Sequence, residues 1–111
     1  MNMDTLSLAG KVAIITGSGR ETGIGAGIAT ALARNGAWVV INHVSETTAP
    51  RAAIVAETLN QKTAGKAVVV QADVTSPEGA KKLVDEGLRL FGVDHVDVLG
   101  MFMHRQDRNV G

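Results

Sequence analysis

The sequence predicts an α/β fold, a parallel sheet of four strands with helices on both faces. Three observations predict it. Apolar runs alternate with segments of helical period in the order β-α-β-α-β-α-β, and such alternation implies a parallel sheet with right-handed crossovers. The clearest runs are continuously apolar, as in Val12-Ala13-Ile14-Ile15, which suits strands buried on both faces. Between the first strand and the first helix lies a glycine-rich stretch, Thr16-Gly17-Ser18-Gly19-Arg20-Glu21-Thr22-Gly23-Ile24-Gly25.

Taken in order, residues 1–10 form a polar lead-in closed by Gly10, and Lys11–Thr16 is the first strand. The first helix runs from Ile24 to Asn35, with Ile24, Ile28 and Leu32 as its apolar stripe at spacing i, i+4, i+8. Gly36 follows as a left-handed cap. Ala37–Asn42 is the second strand, and a polar loop from His43 to Thr48 leads to the second helix. Thr47 or Thr48 can cap that helix, with Pro50 in its first turn. Ala52, Val55, Ala56, Leu59 and Thr63 share one face, Ala64-Gly65 ends the helix, and Lys66–Gln71 is the third strand. Ser76-Pro77-Glu78 reads as a cap followed by proline at the first helical position. Ala80, Leu83, Val84, Gly87 and Phe91 form the third helix's stripe, and Gly92 stops it. Asp94–Leu99 is a weaker fourth strand, interrupted by Asp97.

Composition narrows the chemistry. The 111 residues fit one small domain. Eleven basic and eleven acidic side chains cancel, so neither a nucleic acid nor a membrane surface is an expected partner. There is no cysteine, which excludes disulfides, thiolate catalysis and cysteine metal sites. There is no tyrosine either, so no mechanism with a tyrosine proton donor runs on this chain alone. Met1-Asn2-Met3-Asp4 lacks the basic start and apolar run of a signal peptide. No apolar run approaches the roughly 20 residues of a membrane span, and the expectation is a soluble, cytoplasmic protein.

A glycine-rich turn between strand and helix binds phosphate. Glycines let the backbone approach an anion, and the helix start offers free N–H groups and a positive dipole end. The competing explanation is a tight βα turn that needs glycine only for positive φ.

The stretch Gly10-Lys11-Val12-Ala13, the pair Thr16-Gly17 with Gly23-Ile24-Gly25, the triplet Ala72-Asp73-Val74, and Phe91-Gly92 before Val96-Asp97-Val98-Leu99 together resemble the short-chain dehydrogenase/reductase family over residues 8–99. The resemblance implies a Rossmann-type sheet, here with strand order 3-2-1-4, and NAD or NADP as ligand. Two departures stand out. The usual glycine motif has three residues between its first two glycines, whereas five lie between Gly17 and Gly23. With Gly23-Ile24-Gly25-Ala26-Gly27-Ile28-Ala29 after it, the longer loop is similar to the divergent enoyl-reductase branch. The family also continues past its fourth strand with an Asn-Asn-Ala-Gly turn, then a serine and a Tyr-x-x-x-Lys pair. This sequence reads Gly100-Met101-Phe102-Met103. The expectation is therefore a truncated NAD(P)-binding domain over 1–99 with a tail foreign to the family over 100–111.

By this resemblance Gly17, Ser18, Gly19, Gly23, Ile24 and Gly25 form the pyrophosphate turn. Asp73 would accept a hydrogen bond from the adenine amino group, with the Val74 amide beside it; alternatively Asp73 forms an Asx turn before Ser76-Pro77. A carboxylate at the end of the second strand would select NAD. The sequence has Asn42-His43 there, no acid until Glu46, and Arg20 in the glycine loop. A cation without a carboxylate favours NADP(H), unless Arg20 is simply solvated. His43, His95 and His104 show no metal-ligand spacing, and although Asp94 and Asp97 flank His95, no Ser-His-Asp arrangement can be argued. Three functions remain open: an oxidoreductase-type NADP(H)-binding protein that does not transfer hydride alone, a non-catalytic binding or scaffold protein, and a non-redox isomerase or cyclase whose pocket needs an oligomer. The fourth strand is expected at a sheet edge, which invites a homo-oligomer. Met101-Phe102-Met103 folding back is the alternative, and Asp97 favours shielding over a closed interface.

Overall fold

Backbone hydrogen bonding in the computed structural model, which describes residues 7–19 and 23–100, builds the expected alternation. The elements are β1 (Val12–Ile15), α1 (Ile24–Arg34), β2 (Trp38–His43), α2 (Ala49–Lys62), β3 (Lys66–Gln71), α3 (Pro77–Phe91) and β4 (Val98–Gly100). All strand pairs are parallel, and the order is β3-β2-β1-β4. The registers Ile15↔Ile41 and Ile15↔Gly100 bring three strand ends to one rim of the sheet.

The continuous apolar runs are explained by two layers of cover. Ala13, Ile15, Val39 and Ile41 face α1 and α2. Ile14 and Val40, one residue out of phase, face α3 through Leu83. Trp38 and Phe91 meet with ring centroids 5.2 Å apart and tie the start of β2 to the end of α3. Successive side chains of a strand point to opposite faces, so a strand covered on both sides has no polar phase.

The helices hold the expected positions, with corrections. The face of α1 that packs on the sheet is Gly25, Ala26, Ala29 and Ala33. Ile28 and Leu32 pack only partly against the core, and Ile24 is 76% exposed. Small residues let the helix approach the strands closely, and this displaces the larger stripe to the flank. In α2, Ala52, Val55, Ala56 and Leu59 are buried as expected. Thr48 stands at the N-cap, but its hydroxyl donates to the Ser45 carbonyl at 2.8 Å and caps nothing; a 3-10 turn over Glu46–Thr48 precedes the helix instead. Thr63, expected on the stripe, is the C-cap. Ser76 does cap α3, its hydroxyl accepting from the Gly79 amide at 3.0 Å. Gly36 and Gly92 both have positive φ after their helices.

The fourth strand is shorter and later than expected. The Asp97 N–H donates to the Val12 carbonyl, and Asp97 Oδ2 accepts from the Val12 N–H, each at 2.8 Å. A carboxylate takes the donor that a further strand residue would have paired, so β4 begins only at Val98. Gly100, expected to open the tail, ends this strand, and its carbonyl accepts from the Thr16 N–H at 2.9 Å. Residues 101–111, including Met101-Phe102-Met103 and His104, lie outside the described residues.

The two sheet edges differ. At β3, the Asn60 side chain accepts from the Ala67 N–H at 2.8 Å and donates to the Ala67 carbonyl at 3.0 Å. At β4, Val98 and Leu99 are 38% and 55% exposed, and among the described residues no strand pairs with the outer side.

The turn between α2 and β3 is a point of close contact. The Gly65 N–H donates to the Ala33 carbonyl at 3.0 Å, and a Cβ on Gly65 would collide with the carbonyl oxygens of Ala37 and Ala33. Backbone on both sides leaves no room to relax. Gly65→Ala is expected to destabilise the protein by about 2–3 kcal/mol, an overpacking cost. A urea midpoint unchanged from wild type would contradict this.

Candidate functional site

The site lies where β1 ends. In open α/β sheets, ligands bind beyond the carboxyl ends of the strands, where the order reverses. Here that point is β1, with β2 on one side and β4 on the other.

Residues 16–19 leave β1 as a turn in which Gly17 has φ 68°, a conformation costly for side chains with a Cβ. Ser18 is fully buried. Its hydroxyl donates to the Ile15 carbonyl at 2.6 Å and accepts from the Asn42 N–H at 3.1 Å. The Gly19 N–H donates to the Asn42 carbonyl at 3.1 Å, and the Gly17 N–H donates to Asn42 Oδ1 at 3.2 Å. The turn is thus bonded to the end of β2.

Gly25 marks the closest approach of α1. A Cβ there would stand 3.0 Å from the Gly17 carbonyl oxygen and 3.1 Å from Ser18 Cα. Above it α1 starts at Gly23 with no side-chain cap and no acid in its first turn. The first N–H groups of a helix lack intrahelical partners, so this end presents donors and a positive dipole with no carboxylate of its own to neutralise them. A phosphate fits that donor set. Ile24 lies exposed beside it. Arg20 is outside the described residues.

Asn42 is not an exposed reader of a ligand. It is 1% exposed, and its Nδ2 donates toward the carbonyls of Ala72, Val70 and His43 at 3.1, 3.3 and 3.3 Å. His43 is also buried, with Nδ1 2.9 Å from the Ser45 carbonyl and 3.2 Å from Thr48 Oγ1. A carbonyl only accepts, which assigns the proton to Nδ1. A Cβ on Gly19 would sit 3.0 Å from His43 Cβ, so the turn lies directly against this residue.

Asp73 follows β3 on the same rim, joined to it by the Ala72 N–H donating to the His43 carbonyl at 2.9 Å. Its Oδ1 accepts from the Thr75 hydroxyl at 2.6 Å and the Thr75 N–H at 3.0 Å. This is the Asx turn offered as one of its two readings. The Thr75 hydroxyl first, and the Thr75 amide second, hold the exposed Asp73 carboxyl below its usual range. Val74 is partly buried and packs against the core cluster that includes Val70 and Leu83.

The structure thus brings Gly17, Ser18, Gly19, Gly23, Ile24, Gly25, Asn42, His43, Asp73 and Val74 to one rim. His95 is elsewhere, beside Asp97, which bonds Val12 at the opposite end of β1; its Nε2 is 3.2 Å from Asp97 Oδ2 and its Nδ1 3.5 Å from Asp94 Oδ1. Among the described residues no group of three or more His, Asp or Glu could hold a metal, and no helix is long and apolar enough to cross a membrane.

Fold and turn define a Rossmann-like α/β domain, the class built around a glycine turn at the switch point of a parallel sheet. The family model described as short chain dehydrogenase matches residues 11–101, and the chain belongs to that family. It is 45% identical over 93 residues to a hydroxynaphthalene reductase-like protein of Metarhizium brunneum, covering 84% of this chain and 32% of that protein. The chain therefore spans about a third of the length of the curated relatives it matches. Among solved structures, L-sorbose reductase from Gluconobacter frateurii, complexed with NADPH and L-sorbose, superposes with a TM-score of 0.73 at 34% identity, over 86% of this chain and 34% of that one. A 7α-hydroxysteroid dehydrogenase, complexed with NADH and 7-oxo glycochenodeoxycholic acid, gives 0.72 at 37%, over 89% and 36%.

Thr75→Val should raise the Asp73 pKa toward the ordinary carboxylate range, because the largest stabiliser of the anion is removed. The sign for stability follows. A depressed carboxyl contributes above its unfolded pKa, and the contribution fades as pH falls through the folded value. Carboxyl-carbon NMR titration of the two proteins checks this; coincident curves would contradict the assignment.

Proposed function

We propose that the chain binds a nicotinamide dinucleotide, NADP(H) in preference to NAD(H), as the cofactor domain of a short-chain reductase. The observation that carries the reading is the uncapped start of α1, set over a glycine turn with no bulk at Gly17, Gly19 or Gly25. Gly17, Ser18, Gly19, Gly23, Ile24 and Gly25 would surround the pyrophosphate, and Asp73 and Val74 would flank the adenine. Both Thr75 contacts go to Asp73 Oδ1, so the Asx turn and an adenine contact through Oδ2 are compatible. When bound, the nicotinamide supplies hydride exchange with a carbonyl carbon; the residues described here bind and orient.

The NADP(H) preference rests on charge. The β2 end offers Asn42 and His43 and no carboxylate to repel a 2′-phosphate, and Arg20 belongs to the adjoining loop. The NADPH-bound L-sorbose reductase supports this choice, while the NADH-bound steroid dehydrogenase shows that similar folds take either dinucleotide. Calorimetry is expected to give NADPH binding stronger than NADH. Arg20→Ala should cost on the order of 1–3 kcal/mol with NADPH, the worth of a charge-assisted phosphate contact, and less with NADH. Absence of heat at millimolar NADPH would overturn the reading and favour a scaffold role.

The open edge of β4 extends the proposal to a homodimer. Val98 and Leu99 are exposed there, and an unpaired edge invites another strand. A second copy pairing antiparallel would give one continuous sheet. Light scattering should report twice the monomer mass, and Val98→Pro should return it to the monomer by removing a ladder donor. A monomer mass for the wild type at all concentrations from micromolar upward would exclude this assembly.

A further inference from the structure

We propose that Asn42 is a positioning residue that locks the phosphate turn and the end of β3 into one unit. The ligand in this inference is the nucleotide of the preceding reading; the geometry is independent of it.

Asn42 sits one step beyond the last β1–β2 pair, Ile15↔Ile41, and is itself paired to Val70 of β3. It is the first residue of β2 with no β1 residue beside it. Its bonds on that side go to the turn instead, one to each successive residue: Oδ1 from the Gly17 N–H, backbone N–H to Ser18 Oγ, and backbone carbonyl from the Gly19 N–H. On the other side Nδ2 faces the Val70 and Ala72 carbonyls. The side chain therefore joins two segments that the sheet ladder does not hold together: the residues that would meet phosphate, and the residue preceding Asp73.

The chemistry requires an amide. Gly17 supplies a donor and β3 supplies acceptors, so the group between them must accept on one side and donate on the other. Leucine, similar in size, would remove the acceptor of the Gly17 N–H and the side-chain donor to the Ala72 carbonyl. Aspartic acid would keep the acceptor, and in its protonated form would donate to one carbonyl. The prediction is graded: Asn42→Leu removes the lock, Asn42→Asp retains part of it. Ser18→Ala loosens only the turn side, through the backbone of Asn42.

Amide hydrogen exchange on the full chain, with NADPH titration, tests this. In Asn42→Leu the Gly17 and Ala72 amides should both exchange about tenfold faster than in wild type, with Ile14 and Val40 protected. The NADPH Kd should rise by about tenfold in protein that circular dichroism shows to be folded, equivalent to the loss of roughly one good hydrogen bond. Asn42→Asp should fall between wild type and Asn42→Leu in both measurements. A residue that only adds stability would change the urea midpoint and leave the Kd of the folded protein alone. Wild-type exchange at both amides in folded Asn42→Leu, or acceleration at one alone, would overturn the coupling. If Asn42→Leu does not fold, Asn42→Asp decides by the same exchange ratio, with Ser18→Ala expected to accelerate Gly17 and spare Ala72. If wild type fails to bind NADPH, the functional reading falls, and the exchange ratios still decide whether the two segments are coupled.

Discussion

The structure depends on one steric constraint: where β1 hands over to α1, backbone must pass against backbone. A single Cβ at Gly25 would press on Gly17 and Ser18. Everything around the site follows from meeting that limit. The helix can start low over the sheet only if its inner face is small, which is why Ala26, Ala29 and Ala33 line it. The turn beneath can be held only by groups reaching it from the side, which gives the Ser18 hydroxyl and the Asn42 amide their places. A close-packed interior transmits such a demand over several residues.

Much of this was legible in the sequence, and the misses have identifiable causes. Strand and helix positions follow from the continuous apolar runs and from the caps at Ser76, Gly36 and Gly92, and the strand order follows from the family resemblance. The face of α1 was misjudged because large residues draw attention by hydrophobicity, whereas a close helix–sheet contact selects for small ones. The extent of β4 was misjudged because Asp97 reads as an interruption of a strand. In three dimensions its carboxylate is the acceptor for Val12, which determines where pairing starts. Asn42, expected at a ligand's edge, is buried and bonded to the turn and to β3. The signal for this setting is in the sequence: an amide just after the apolar run Val39-Val40-Ile41, with a small hydroxyl residue in the adjoining turn. A single sequence does not say that Ser18 and Asn42 are neighbours, since that depends on the β1–β2 register.

Charge at the two ends of the sheet is arranged differently. The rim carrying the turn has an uncapped start of α1, with Asp73 already engaged by Thr75. The opposite end gathers Asp94, Asp97 and His95.

The Asn60 clamp on Ala67 has a consequence for how far any assembly could grow. A sheet with two receptive borders can add units indefinitely, each new member presenting a fresh border, as in fibrils. Here a strand arriving beside β3 must first displace an intramolecular amide that already fills both polar atoms of Ala67. Polymerisation needs two binding ends per unit, and at the β3 edge the pairing groups of Ala67 are already used within the molecule. In the homodimer proposed above, association across the β4 border would be self-terminating, because two copies would use both β4 edges.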